Sequence, residues 1–176
     1  METPISIKHK KYLISPNGIL FNIQTQRPTK KYNHKMGTFH CGLRTKDEVL
    51  SKAITVLMKR EQEAFQQKLR DDKKLEKPLC DLPFSYEEGT YIFNPFRLNS
   101  CGWDGKKNKV FVNKPRLFSA ENKELEPSNH HFANKDEYSG RVFFNIIPYW
   151  NQEGIGIVLR LRAIQFETYA PMPLAS

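Results

Sequence analysis

The sequence predicts a mainly β protein with one long helix, arranged as a small, mostly antiparallel barrel into which the helix is inserted. Three observations carry that expectation. Short segments that alternate apolar and polar residues recur between turn residues, the period-two signature of half-buried strands. One segment, residues 46–74, instead repeats its apolar residues at helical spacing. No strand–helix–strand alternation accompanies it, so nothing suggests a parallel sheet covered by helices. At 176 residues the chain suits one domain with a sizeable core.

Taken in order, Pro16, Asn17 and Gly18 signal a turn, and residues 17–23 (NGILFNI) read as a first strand. The polar, basic stretch QTQRPTKKYNHKMG, with its proline, reads as a loop. Thr38–Thr45 (TFHCGLRT) is a second strand. Thr45 then suits the helix N-cap, with Asp47 and Glu48 in the first turn, where the helix dipole favours negative charge. Leu50, Ala53, Ile54, Leu57, Ala64 and Phe65 form the expected buried stripe. The polar end QQKLRDDKKLEK is expected to fray or project into solvent, and Pro78 closes the segment. Residues 90–98 are a third strand rich in aromatics, and residues 99–108 (NSCGWDGKKN) a loop tip. NKVFVNKPRLFSA is a fourth strand whose edge or end Pro115 marks. An irregular, acidic-leaning connection with His130 and His131 leads to residues 138–166, two long strands joined by a polar turn. Pro148 is the point at which a bulge would switch the faces of that hairpin.

The charge is segregated. Residues 1–60 carry twelve Lys/Arg against three Asp/Glu, which accounts for the whole net charge of +9. Within the balanced remainder, residues 89–118 hold six basic side chains and only Asp104. Such a directed field favours a polyanionic partner; its bland counterpart is a merely basic surface. No run is long and apolar enough for a membrane span, and METPISIKHKK has no apolar signal-peptide core, so an intracellular protein is expected. Three isolated cysteines, Cys41, Cys80 and Cys101, give neither a disulfide framework nor a Cys-x-x-Cys metal site, and read as reduced thiols in or near the core.

No phosphate-binding G-x-x-x-x-G-K-[ST] loop, G-x-S-x-G elbow or H-E-x-x-H helix is present. His130 and His131, near Asp136 and Glu137, read as solvent-exposed loop residues, and the pairs Asp71-Asp72 and Glu87-Glu88 lack partners at catalytic spacing. Neither catalytic nor metal-ligating residues are assigned, and no cofactor is expected. Aromatic and basic residues interleave instead. Tyr91, Phe93 and Arg97 share one parity of the third strand, against Ile92, Phe96 and Leu98. Trp103 stands beside Lys106, Lys107 and Lys109 at the glycine-flanked tip. On the last strand Ile157, Leu159, Leu161 and Ala163 suit the core, which puts Arg160 and Arg162 on the other face with Val158 and Ile164. Lys30, Lys31 and Lys35 lie in the first loop, as a phosphate-contacting arm or an ordinary solvated loop. Each aromatic has a core reading beside its stacking one. These twelve residues make up the candidate nucleic-acid interface, with aromatics to stack bases and cations to meet phosphates.

One further pattern is made of Tyr138-Ser139-Gly140, Tyr149, Gly154, Gly156, Leu159 and the ending Ala163-Ile164-Gln165-Phe166, after an early ISPNGILFNI strand and a Lys/Tyr loop. In these features the chain resembles the phage-type single-stranded DNA-binding proteins with an OB fold, podophage replication proteins among them. The resemblance implies an OB-fold-like, five-stranded antiparallel barrel with an inserted helix, a single domain over residues 1–170 with residues 171–176 as a short tail. It also implies non-catalytic, largely sequence-independent coating of single-stranded DNA in replication, recombination or repair. RNA is the alternative ligand, replication or recombination proteins the expected partners, monomer or homodimer the expected state, and the host cytoplasm the place of a phage-encoded protein. One departure stands out: family members that recruit replication enzymes often end in an acidic tail with a terminal aromatic, whereas these last residues are the uncharged APMPLAS. Either the chain has been shortened or it does not recruit through a tail. The competing reading is a basic viral structural or scaffold protein without ordered single-strand binding.

Overall fold

In the computed structural model, residues 12–32, 36–132 and 137–167 are described. The elements in order are β1 (Leu13–Ile14), β2 (Gly18–Thr29), β3 (Thr38–Thr45), α1 (Glu48–Lys73), β4 (Phe84–Glu87), β5 (Thr90–Asn99) and β6 (Cys101–Asp104). Then follow β7 (Lys109–Val112), β8 (Arg116–Phe118), β9 (Glu124–Leu125), a 3-10 turn (Pro127–Asn129), β10 (Tyr138–Asn151) and β11 (Gly154–Phe166). Strands β2, β3, β5, β11 and β10 pair in that order, and β10 pairs back with β2, closing a five-stranded barrel of OB type. Neighbours are antiparallel except β5 and β11, which run parallel with Leu159 beside Phe96. The mostly antiparallel barrel expected from the sequence is what forms, and its one parallel seam has a simple reason. Five strands that alternate in direction along the chain cannot alternate all the way round a closed ring, so one seam must be parallel.

Several boundaries differ from those the sequence predicts. Strand β2 continues to Thr29 through the expected loop, because Gln24 and Thr29 still find partners in His40 and Thr38 across a disrupted ladder. The helix N-cap is Asp47, whose carboxylate accepts from the Leu50 N–H at 3.0 Å, not Thr45. The Thr45 hydroxyl is committed elsewhere: it donates to the Asn17 carbonyl and accepts from the Asp47 N–H. The buried stripe of α1 is Ser51, Ile54, Met58, Gln62 and Leu69, rotated from the expected one, and Ala64 is exposed. Its end stays helical, since Gln66 donates to the Lys77 carbonyl and Arg70 pairs with Glu76. The expected fourth strand splits at residues 113–115 into β7, which pairs with β6 in a separate two-stranded ribbon, and β8, which lies parallel to β11. Pro115 has no N–H to continue a ladder. His130 is buried, not exposed.

Two bulges decide which side chains face inward. On β5, Asn94 and Pro95 together oppose the single residue Gly42 of β3, so Phe93 pairs Leu43 and Phe96 pairs Cys41. Tyr91 and Phe93 therefore share the core with Phe96 and Leu98. On β11 the extra residue is Arg162, between Leu161 opposite Phe144 and Ala163 opposite Phe143. The faces switch there and not at Pro148: Ile164 and Phe166 enter the core, while Ala163 moves to the outer side, reversing the expected assignment. Ile54 and Met58 of α1 join the same core, which makes the helix a plug for the barrel.

Candidate nucleic-acid interface

The parallel seam sets Arg97 of β5 directly beside Arg160 of β11. Across β5, Arg97 is opposite His40 of β3, and across β11, Arg160 is opposite Asn145 of β10. Their sequence neighbours Phe96, Leu98, Leu159 and Leu161 are all in the core, so this row lies on the barrel's outer surface. The bulged Arg162 joins it, its Nε donating to Asn145 Oδ1 at 2.8 Å and its guanidinium 5.2 Å from the Tyr12 ring centre. The β6–β7 ribbon leaves the end of β5 and overhangs the row. Between them is a groove of about 270 Å³, with Arg97, Arg160 and Arg162 on the barrel side and Gly102 and Phe111 on the ribbon side. The Phe111 ring rests on Gly102, where a Cβ would lie 2.5 Å from the ring.

The groove is electrically unbalanced. None of its lining residues is acidic, and among the described residues none of the three arginines has a carboxylate within ion-pair distance. Burial, and then the neighbouring charge of Arg162, push the Arg160 pKa below the usual arginine value. The guanidinium nevertheless stays charged at neutral pH, so crowded positive charge is available to an anion. At the far side of β5, Arg97 lies over the Tyr32 ring at 5.6 Å and Lys31 over the same ring at 5.7 Å, while the ring meets His40 edge-on. Burial first, and then Lys31, lower the His40 pKa; its Nδ1 donates to the Asn22 carbonyl at 3.1 Å, which opposes them.

Of the twelve residues singled out in the sequence, Arg97, Arg160 and Arg162 come together in the groove. Lys30 and Lys31 are exposed beside Tyr32, and Lys35 lies outside the described residues. Tyr91 and Phe93 do not belong to a stacking surface: they are 6% and 0% exposed, because the β5 bulge turns them into the core. Trp103 is 60% exposed but pairs with Val110, which places it on the ribbon face opposite to that of Phe111. Lys106 and Lys107 form the ribbon's turn, their N–H groups donating to Asp104, and Lys109 pairs across from Asp104. Sequence reasoning missed Tyr32, His40, Phe111 and Asn145. Asn145 was within reach, since it has the outward parity of β10, but Phe111 needed the pairing of the ribbon.

No group of three or more potential metal-ligating side chains occurs among the described residues, and no helix there is long and apolar enough to cross a membrane. Burial pushes the Cys41 thiol far above its ordinary range, which leaves it a core side chain.

No protein-family profile and no curated protein matches the sequence. Solved structures do share the fold. The single-stranded DNA-binding protein gp2.5 encoded by bacteriophage T7 superposes with a TM-score of 0.73 at 17% identity, over 95% of this chain and 94% of that one. The single-stranded DNA-binding protein from bacteriophage Enc34 gives 0.58 at 13% identity, over 94% and 84%. The same Enc34 protein in complex with single-stranded DNA gives 0.58 at 12% identity, over 93% and 89%.

Proposed function

We propose that this chain is a non-catalytic protein that binds single-stranded DNA with little regard to sequence, coating it during phage DNA replication, recombination or repair in the host cytoplasm. The observation that carries the reading is the groove in which Arg97, Arg160 and Arg162 stand beside Phe111, with no carboxylate partner among the described residues. A single strand satisfies both halves of that arrangement, its phosphates meeting the guanidiniums and its bases the ring. The ribbon overhangs the row on one side, which suits one strand better than a duplex. Fold likeness supports the same reading, since the T7 and Enc34 proteins are both single-stranded DNA-binding proteins and one was solved with that ligand bound.

Titration of tryptophan fluorescence with homopolymer DNA, with duplex as competitor and RNA in parallel, tests it. Combined replacement Arg97→Ala, Arg160→Ala and Arg162→Ala should weaken binding by about 100-fold, from roughly 1 kcal/mol for each solvent-accessible ion pair with a phosphate. Equal competition by duplex, or unchanged affinity in a folded triple variant, would refute the proposal.

A further inference from the structure

Beyond Arg162 the same surface opens into a second pocket of about 580 Å³, which shares Leu98, Asn113 and Arg162 with the first groove. Nothing in the functional reading above uses it. Its walls are aromatic, and a guanidinium lies against each ring: Arg162 at 5.2 Å from the Tyr12 centre, Arg116 at 5.0 Å from Phe118 and Arg141 at 5.6 Å from Phe143. Arg116 is fixed in place by two bonds to the Glu124 carboxylate, at 2.8 and 3.2 Å. The polar lining is oriented as well. Arg141 Nε donates to Gln165 Oε1 at 3.1 Å, and Gln165 Nε2 donates to Asn122 Oδ1 at 3.2 Å. That relay aims the Asn122 amide N–H groups away from Gln165. Asn113 Nδ2 donates to the Asn99 carbonyl at 3.0 Å, which leaves its Oδ1 as the acceptor side.

We infer that this pocket is a nucleobase subsite: one base of the strand lying in the first groove leaves the stack and enters it. The base ring packs on the aromatic walls, and its edge meets the Asn122 donor and the Asn113 acceptor. A phosphate fits less well, because it offers no hydrogen to Asn113 Oδ1 and uses none of the aromatic surface. An aliphatic side chain would use neither the Asn122 N–H groups nor the Asn113 Oδ1. A nucleobase satisfies every part, since each base presents a π face and an edge with both donor and acceptor atoms. The inference rests on the first groove being a single-strand site, because the strand must arrive by way of Arg162.

The test is a length series of oligonucleotides, from about 4 to about 16 nucleotides, the range of site sizes for one OB fold. Wild-type affinity should step up once the strand is long enough to pass Arg162 and fill the pocket. Phe118→Ala and Phe143→Ala should each lose about tenfold for the long oligonucleotides, the worth of one stacked base, and nothing for the shortest. Asn122 has φ 67° and is replaced without backbone cost by glycine. Asn122→Gly should therefore fold normally and lose several-fold in affinity for the long oligonucleotides, whatever their base, and nothing for the shortest. Wild-type affinity for long oligonucleotides in folded Phe118→Ala and Phe143→Ala overturns the subsite but leaves the groove standing if short ones still bind. Wild-type affinity for the long oligonucleotides in folded Asn122→Gly overturns the edge reading. Failure of the wild type to bind any single strand would remove the groove and the subsite together.

Discussion

His40 shows how much of this protein's behaviour is set at single residues. Its imidazole is tucked under Tyr32 beside Arg97, and burial followed by the Lys31 charge holds its pKa below 6.5. The sign follows directly. The unfolded chain takes up a proton on this histidine at higher pH than the folded one, so the stability that His40 contributes is complete above pH 6.5 and is lost as pH falls below it. Denaturant unfolding across that limb should show a shallower loss in His40→Gln than in wild type. A phosphate arriving beside Arg97 has the opposite effect on the same group, since negative charge favours imidazolium. Single-strand binding near pH 6 is therefore expected to take up a proton, measurable by calorimetry in two buffers of different ionisation enthalpy. Absence of uptake would place the strand away from β3.

Among the elements, the helix and the closing hairpin each have one residue that governs how they are seated. Gln62, buried on α1, donates through Nε2 to the carbonyls of Cys80 and Ile155, both at 2.8 Å. This ties the helix to the start of β11 and to the segment that follows the helix. Gln62→Leu removes both bonds, although the Ile155 carbonyl keeps the Cys80 N–H at 2.8 Å, and should cost about 2 kcal/mol in equilibrium unfolding. On β10, Gly140 lets two backbones approach closely, since a Cβ there would lie 2.3 Å from the Gln165 carbonyl oxygen and 2.9 Å from Leu20 Cδ1. Gly140→Ala should therefore destabilise by about 1–3 kcal/mol through overpacking, and thermal unfolding would show it. A change within experimental error would mean that the β10–β11 ladder shifts more readily than its length suggests. Both positions stand apart from the groove, so single-strand affinity should survive in the folded fraction.

For the molecule as a whole, the decisive quantity is the distribution of its +9 charge. The excess resides in residues 1–60, and the three groove arginines come from the part of the chain that is neutral in sum. Local excess, not net charge, makes the groove basic. Binding is expected to weaken steeply with salt, because each neutralised phosphate releases condensed counterions. Removing Arg97, Arg160 and Arg162 together should flatten the slope of log K against log salt by about 2, from roughly 0.7 for each single-strand phosphate contact. A slope that is unchanged in the triple variant would mean that the lysines near Tyr32 and on the ribbon carry the phosphate contacts instead.

Local periodicity was enough to read the helix, strand β3, the long β10–β11 hairpin and the outward face of Arg160 and Arg162, because alternation and helical spacing are properties of neighbouring residues. The short motifs of the closing strands were enough to bring out the resemblance in fold. Other features lay beyond the sequence, because partner strands decide them. The parallel seam that places Arg97 beside Arg160 follows from closing an odd number of strands. One extra residue opposite Gly42 turns Tyr91 and Phe93 inward, and one at Arg162 reverses Ala163 and Ile164. A shift of one residue moves every following side chain to the other face. In this protein, therefore, the strands are written locally, and which side chains share the candidate binding surface is settled by where their ladders slip.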